Sequence, residues 1–415
     1  MNHLFLNPSL PFAQTALEQA TSVLALIAED ISSNNLPALS IVLDDSEYER
    51  ARTAASQLSS FETILVFGTG GSSLGGQALC QLNFNNKVKF VDNIDPSVLD
   101  QLLASCIPQK TGAIFISKSG MTLETLAQAY VITEHFLQTL GHDALPHHLL
   151  VLSQNKPSPL KALAEKYSLS FLELDPNIGG RFCVFSLVGL LPGILNGVDI
   201  NQFIHGARDV LTKLLNNDPE PYAQSIAWQY SLLSQGIAQH VLLPYSDALF
   251  TFSQWACQLI GESLGKNGKG ITPIAARGTV DQHSQLQLYI DGPRDKWITF
   301  ITCADNGLGP TLSSSAIDSS LHYLRNKTIG DIMAAEHQAT ITSMTQKGCY
   351  VRQIQIGQLN ARTLGELMMH FMIEVIGLAA MMNINPFDQP AVEQGKILTK
   401  QLLEHDHSTP SIHTG

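Results

Sequence analysis

One stretch of this 415-residue chain concentrates groups that can move protons: Asp281, Gln282, His283, Ser284 and Gln285, between Gly278 and an alternating run that ends at Ile290. A histidine buried in an apolar core needs no such company, whereas one that must hold a single tautomer and touch a polyol does. The alternation from Gln285 to Ile290 predicts a strand directly after the histidine. A carboxylate of a different kind stands in Gln258-Leu-Ile-Gly-Glu262-Ser-Leu-Gly-Lys266, at the end of an apolar helical stretch with Trp255 and Cys257. Gln258 and Glu262 are four apart and so share a helix face, where partial burial would tune the carboxylate's basicity. Glu262 alone would read as a solvated helix end; the small and amide residues around it favour a site. Near the C-terminus, Gln389 and Lys396 are seven apart, which places them on one helix face, with Pro390 at the first helical position. Lys396 by itself would read as a surface lysine.

Two further segments suit an anion. Gly68-Thr-Gly-Gly71-Ser72-Ser-Leu-Gly75 follows an apolar run and opens a helical one, so its backbone can approach a ligand at a helix N-terminus. It lacks the third glycine of the dinucleotide fingerprint, although Asp92 after the next strand keeps a nucleotide reading open. Ser117-Lys118-Ser119-Gly120-Met121-Thr122 repeats the strand-to-helix context with three hydroxyls within six residues, and reads either as a phosphate cradle or as an ordinary Ser/Thr cap followed by Glu124. Two such loops at successive strand ends favour binding, because ligands of doubly wound sheets sit at the carboxyl edge. Arg181 follows Gly179-Gly180 and precedes a strongly apolar helix, so its guanidinium has room to face a cavity.

The elements that must position these groups alternate. Apolar runs at 63–67, 88–91, 113–117, 149–152 and 170–174 predict buried parallel strands, separated by amphipathic stretches near 74–82, 97–105, 122–138 and 158–167. A second unit has helical stretches at 200–215, 220–237 and 247–265 and strands at 241–243, 285–290, 297–302 and 350–356, closed by helices at 362–381 and 389–404. The fold class is therefore α/β, with two mainly parallel sheets flanked by helices in three layers. The expected organisation is a helical segment at 1–60, a first α/β domain at 61–197, a second at 198–385, and a C-terminal helix with a flexible tail at 386–415.

Composition narrows the partners. Hydrophobic residues make up 44% and charged residues 14%, which suits a compact globular protein. Net charge is −12 and no Lys/Arg block stands out, so nucleic acid is not an expected partner. Six scattered cysteines without C-x-x-C, and histidines without zinc spacing, argue against a disulfide framework and a metal site. The first residues lack the pattern of a signal peptide, and no membrane span is expected.

Together, GTGGSSLG, SKSGMTLET, GGRFCVFSLVGLLP, GESLGKNGKG, GTVDQHSQLQLYIDGP and DQPAVEQGK, in this order from residue 68 to 396, closely resemble the glucose-6-phosphate isomerase family in its compact bacterial form. The resemblance implies two sugar-isomerase (SIS) domains, a cytoplasmic homodimer, and cofactor- and metal-free interconversion of glucose 6-phosphate and fructose 6-phosphate in glycolysis and gluconeogenesis. It implies that Glu262 moves a proton between C1 and C2 and that Arg181 stabilises the enediolate. His283, reaching across from the partner subunit, and Lys396 would open the sugar ring. Ser117, Lys118, Ser119 and Thr122 would hold the phosphate with Gly71 and Ser72 alongside, and Gln258 and Gln389 would contact the substrate. Ser119 and Thr69 depart from commoner residues at those positions, and Ser119 keeps the hydroxyl. Alternatives are broader specificity that includes mannose 6-phosphate, or a non-catalytic sugar-phosphate sensor.

Overall fold

A computed structural model describes residues 3–6, 12–313, 315 and 317–405. Among the described residues, ten strands form two five-stranded sheets: β1 (His3–Leu6), β2 (Thr63–Phe67), β3 (Val88–Val91), β4 (Thr111–Ile116), β5 (Leu149–Ser153), β6 (Ser170–Glu173), β7 (Gln239–Pro244), β8 (Thr272–Ala275), β9 (Lys296–Thr302) and β10 (Tyr350–Gln355). The first sheet is wholly parallel in the order β3-β2-β4-β5-β6. The second runs β8-β7-β9-β10 in parallel, with β1 antiparallel on the edge beside β10. With β1 left aside, both sheets thus place their second strand outermost, then the first, third and fourth. That order reverses direction between first and third strands, where a crevice opens at the carboxyl ends.

The strands read as expected because parallel strands covered on both faces are continuously apolar: β4 and β9 are buried along their whole length. A central core joins Ile64, Val66, Ile114 and Ile116 of one sheet to Leu242, Trp297, Ile301 and Ile354 of the other through the helices between them. The outer faces of the two sheets carry separate cores, under the helices Leu123–Leu140 and Ile329–Gln346 respectively.

Several elements differ from the sequence expectation. Residues 285–290 are not a strand: a 3-10 turn, Val280–His283, leads into the helix Leu286–Asp291. Alternating polarity over so few residues also fits a short surface helix that buries only Tyr289. Strand β8 carries Pro273 and pairs only with β7, an edge position where a missing N–H is tolerated. The helix Ile329–Gln346, opened by a Thr328/Asp331 capping box, was not anticipated, nor was β1. Pro390 starts a 3-10 turn, Pro390–Val392, and the last helix begins at Glu393. The predicted C-terminal tail, from 406 on, lies outside the described residues.

By length and composition alone the helix Ala361–Met381 could cross a membrane. It is a core helix, packed against Gln14–Ser32, Ile200–Leu215, Glu220–Leu233 and Phe250–Leu264. It also buries Glu374 and His370, of which Glu374 pairs with the guanidinium of Arg352 on β10.

Candidate active site

The two predicted anion loops occupy the switch point of the first sheet. Gly68 to Ser72 follows β2 and Ser117 to Thr122 follows β4, its paired neighbour. The Ser117 hydroxyl is buried and donates to the Thr122 hydroxyl at 3.0 Å. Thr122 occupies the cap position of the Leu123–Leu140 helix, yet its side chain does not cap it. Its oxygen is turned toward Ser117 instead, so the pair faces the loop interior and the first helical N–H groups lack a side-chain acceptor. Ser119 Oγ accepts from the Met121 N–H at 3.1 Å and shapes the same turn. Gly120 sits at φ +67°, and a Cβ there would fall 2.2 Å from Ser158 Oγ, so this turn requires glycine.

Lys118 is half-buried and lines a small cavity with Ser72, Asp175, Gly180 and Cys183. Burial pulls its ammonium below the usual lysine value, and Cys183 and Asp175 oppose that. The stretch Gly71-Ser72-Ser73-Leu74-Gly75 also has the G-x-S-x-G spacing of a nucleophile elbow. Ser73 is nevertheless buried, and its oxygen accepts from Gln77 Nε2 at 2.7 Å. Asp92, the residue that kept a nucleotide reading open, accepts from the same amide at 2.6 Å.

Gly71 brings the second half of the site against the first. A Cβ at Gly71 would lie 2.2 Å from the carbonyl carbon of Gly180, so glycine at 71 is what allows these backbones to meet. The next residue, Arg181, is 2% exposed and lies in the first turn of the 3-10 segment Gly180–Phe185, which leads into the apolar helix Leu187–Leu195. Its guanidinium joins three segments. Nε donates to Ser263 Oγ at 2.8 Å; one terminal nitrogen donates to Glu262 Oε2 at 3.1 Å and to Gln389 Oε1 at 2.6 Å. The other donates to the Asp388 carbonyl at 3.0 Å and to that of Pro386. Burial pulls Arg181 below the usual guanidinium value, and Glu262 and Asp388 oppose the shift.

Glu262 lies in the last turn of Phe250–Leu264, a helix held in the core by Phe252, Trp255, Leu259 and Leu264. Its second oxygen accepts from Gln258 Nε2 at 2.9 Å, the shared-face pair read from the sequence. Gln258 Nε2 in turn lies 3.0 Å from where a Cβ on Gly70 would be, so the amide sits over the first anion loop. Beyond Glu262 a cavity of about 600 Å³ opens, lined by Gly265, Lys266, Asp388 and Gln389 among others. Lys266 clamps its far side through Asp388 at 2.8 Å. The structure thus brings Gly71, Ser72, Lys118, Arg181, Gln258, Glu262 and Gln389 together with the hydroxyl cradle.

It does not bring His283 and Lys396 to them. His283 is exposed at the end of its 3-10 turn, and Lys396 pairs with Glu393 at 2.7 Å on a solvent-facing helix. Among the described residues neither forms a hydrogen bond or ion pair with Glu262 or Arg181. Gln389 and Lys396 also do not share a face, because Gln389 is extended (φ −157°) and the 3-10 turn separates it from the helix. Sequence reading missed Ser263, although it adjoins Glu262. It also missed the carbonyls of Pro386 and Asp388, which side-chain types cannot reveal.

Fold and site define a doubly wound α/β protein with glycine- and hydroxyl-rich loops at its switch point, beside an arginine-bound carboxylate. The sequence profile described as phosphoglucose isomerase matches residues 49–414. Glucose-6-phosphate isomerase from Rubrobacter xylanophilus is 35% identical over 80% of each chain. The enzyme of that name from Methanocaldococcus jannaschii is 33% identical over 87% of this chain and 89% of its own. Among solved structures, a hypothetical protein from Thermus thermophilus superposes with a TM-score of 0.85 at 29% identity, covering 97% of this chain and all of the other. A glucose-6-phosphate isomerase from Chlamydia trachomatis shares the fold, with a TM-score of 0.72 at 22% identity over 98% of this chain and 81% of its own. The chain belongs to the phosphoglucose isomerase family.

Proposed function

We propose that this protein reversibly interconverts glucose 6-phosphate and fructose 6-phosphate, as its family membership supports. The observation that carries the mechanism is the Arg181 guanidinium, which ties Glu262 to Gln389 beside the hydroxyl cradle. Ser117, Ser119 and Thr122 hold the phosphate with Lys118, Gly71 and Ser72, and phosphate bound by hydroxyls and N–H groups suits an acidic chain. Glu262 removes the C2 proton of the open-chain aldose, leaving a cis-enediolate whose oxygen charge faces Arg181. The carboxylic acid then returns the proton to C1 on the same face, and the O2 hydroxyl proton passes to O1, so the aldehyde becomes a hydroxyl, C2 becomes the carbonyl and the ketose forms with no net loss of atoms. Arg181 stays cationic throughout and offsets charge that develops only after C–H cleavage. Gln258 keeps the Glu262 carboxylate oriented. No step in this reading calls for a metal or cofactor.

Ring opening needs a proton taken from the anomeric hydroxyl and another given to the ring oxygen, the roles we assign to His283 and Lys396. Both are exposed and unconnected to Glu262 within one chain, which supports a homodimer in which the partner's copy of this loop completes each site. Mixing Glu262→Gln and His283→Ala proteins tests this, since a mixed dimer holds one intact site and regains activity. Mixtures as inactive as their parents would refute the shared site. The four-part division of the chain and a cytoplasmic location belong to the same proposal. The activity itself is tested by following fructose 6-phosphate conversion through glucose-6-phosphate dehydrogenase with EDTA present. Robust turnover is expected, and well-folded protein without turnover would overturn the assignment.

A further inference from the structure

The loop that carries His283 is held by side chains to which none of these roles has been given. Tyr245, directly after β7, is 1% exposed, and its hydroxyl donates to Gln282 Oε1. Gln282 Nε2 donates to Glu336 Oε2 at 2.7 Å, on the helix Ile329–Gln346. That helix also turns His337 edge-on to the Tyr245 ring, with centroids 5.5 Å apart. The Tyr245 ring packs on Gly278 so closely that a Cβ there would lie 2.6 Å away. On the other side of the histidine, Ser284 Oγ donates to Asp281 Oδ1 at 2.6 Å, and Asp281 Oδ2 accepts the Arg277 N–H at 2.7 Å. Both chain neighbours of His283 are therefore tied down, while its own ring stands exposed and makes no hydrogen bond among the described residues.

We propose that Tyr245, Gln282 and Glu336 form a positioning relay that presents His283 to the sugar ring, an inference that rests on the ring-opening role given to His283 above. An amide turned by 180° exchanges its donor and acceptor. Here a hydroxyl that donates and a carboxylate that only accepts leave one orientation satisfied. Burial pushes the Tyr245 phenol up to about 12, so it remains a donor wherever the enzyme works. The bond to Glu336 is charge-assisted, and it fastens the loop to a helix packed on the second sheet rather than to another loop. The relay positions and does not touch substrate; its loss leaves the imidazole in place but poorly aimed.

Ring opening can be read directly as α/β anomer exchange of glucose 6-phosphate by NMR. Tyr245→Phe and Glu336→Ala are each expected to slow enzyme-dependent anomer exchange about tenfold through misplacement of the imidazole. Both should bind 6-phosphogluconate, an open-chain sugar-acid phosphate, with unchanged Kd, which shows the fold and cradle intact. In a His283→Ala background the same substitutions should change exchange by less than about twofold, since they act through the absent ring. Glu336→Gln, which keeps an acceptor, should recover part of the loss. Wild-type exchange in both single variants, or an equal further loss in the His283→Ala background, overturns the relay alone. Full-rate exchange in His283→Ala itself overturns the ring-opening role, and the relay with it.

Discussion

Replacing Arg181 by lysine keeps the charge and removes the geometry. The guanidinium donates to five acceptors: Ser263, Glu262, Gln389 and the carbonyls of Pro386 and Asp388. An ammonium has three donors at one point and no planar fork, so at least two acceptors lose their partner. At about 1.5–3 kcal/mol for each hydrogen bond to a charged group, the deficit is about 3–6 kcal/mol. If it falls on the transition state, kcat/KM drops by roughly 10²–10⁴, at 1.4 kcal/mol per factor of ten. The loss should appear mainly in kcat, because the developing enediolate charge is absent from the bound substrate. The same change frees the 386–389 segment, so trypsin should cut near Lys396 faster than in the parent. Steady-state kinetics, with 6-phosphogluconate affinity measured alongside, reads the first effect, and a tryptic digestion time course reads the second. A lysine variant with kcat/KM within about threefold of the parent would refute the reasoning, since it would leave the five-point contact without energetic consequence.

Two further outcomes are expected. Ser117→Ala with Thr122→Ala should weaken phosphate and substrate binding by about 1–3 kcal/mol per lost hydrogen bond, with kcat less affected; unchanged KM and unchanged inhibition by inorganic phosphate would count against the cradle. Acid should destabilise the second sheet through Glu374 and His240. Burial alone would raise Glu374, but Arg352, His370 and Ser225 outweigh it and hold the carboxyl well below the usual range. Burial, with Arg352 adding, holds His240 well below its ordinary 6.5. In both cases the unfolded chain binds the proton more tightly, so stability is full above pH 6.5, falls first as unfolded His240 charges, and falls further below about 4.3 as Glu374 protonates on unfolding. Melting temperatures between pH 8 and 3 test this, and Glu374→Gln should flatten the lower limb of the curve.

The first sheet was legible because buried parallel strands are continuously apolar, and the placement of its two loops because glycines and hydroxyls after an apolar run mark a strand-to-helix turn. The Gln258–Glu262 pair was legible for the same kind of reason: helical spacing alone brings the two side chains together. The segment around His283 was misread as a strand, since six alternating residues cannot distinguish an edge strand from a short helix with one buried tyrosine. The helix Ile329–Gln346 went unseen because its inner face is broken by Gly330, His337 and Thr340 rather than lined by aliphatic residues. Gln389 and Lys396 were placed on one face by spacing, and a 3-10 turn between them undid it. What closes the site, the meeting of Gly71 with Gly180 and the carbonyls around Arg181, depends on backbone approach between distant segments, which residue types do not encode.

The central claim is that Glu262 carries the proton between C1 and C2. Glu262→Gln keeps the shape: its amide oxygen can still accept from Arg181, and a turned Gln258 amide can accept from its NH2. In this variant kcat should fall by roughly 10²–10⁴ while Kd for 6-phosphogluconate stays the same, because only the base has been removed. A folded Glu262→Gln protein that isomerises fructose 6-phosphate at near the parent rate would contradict it.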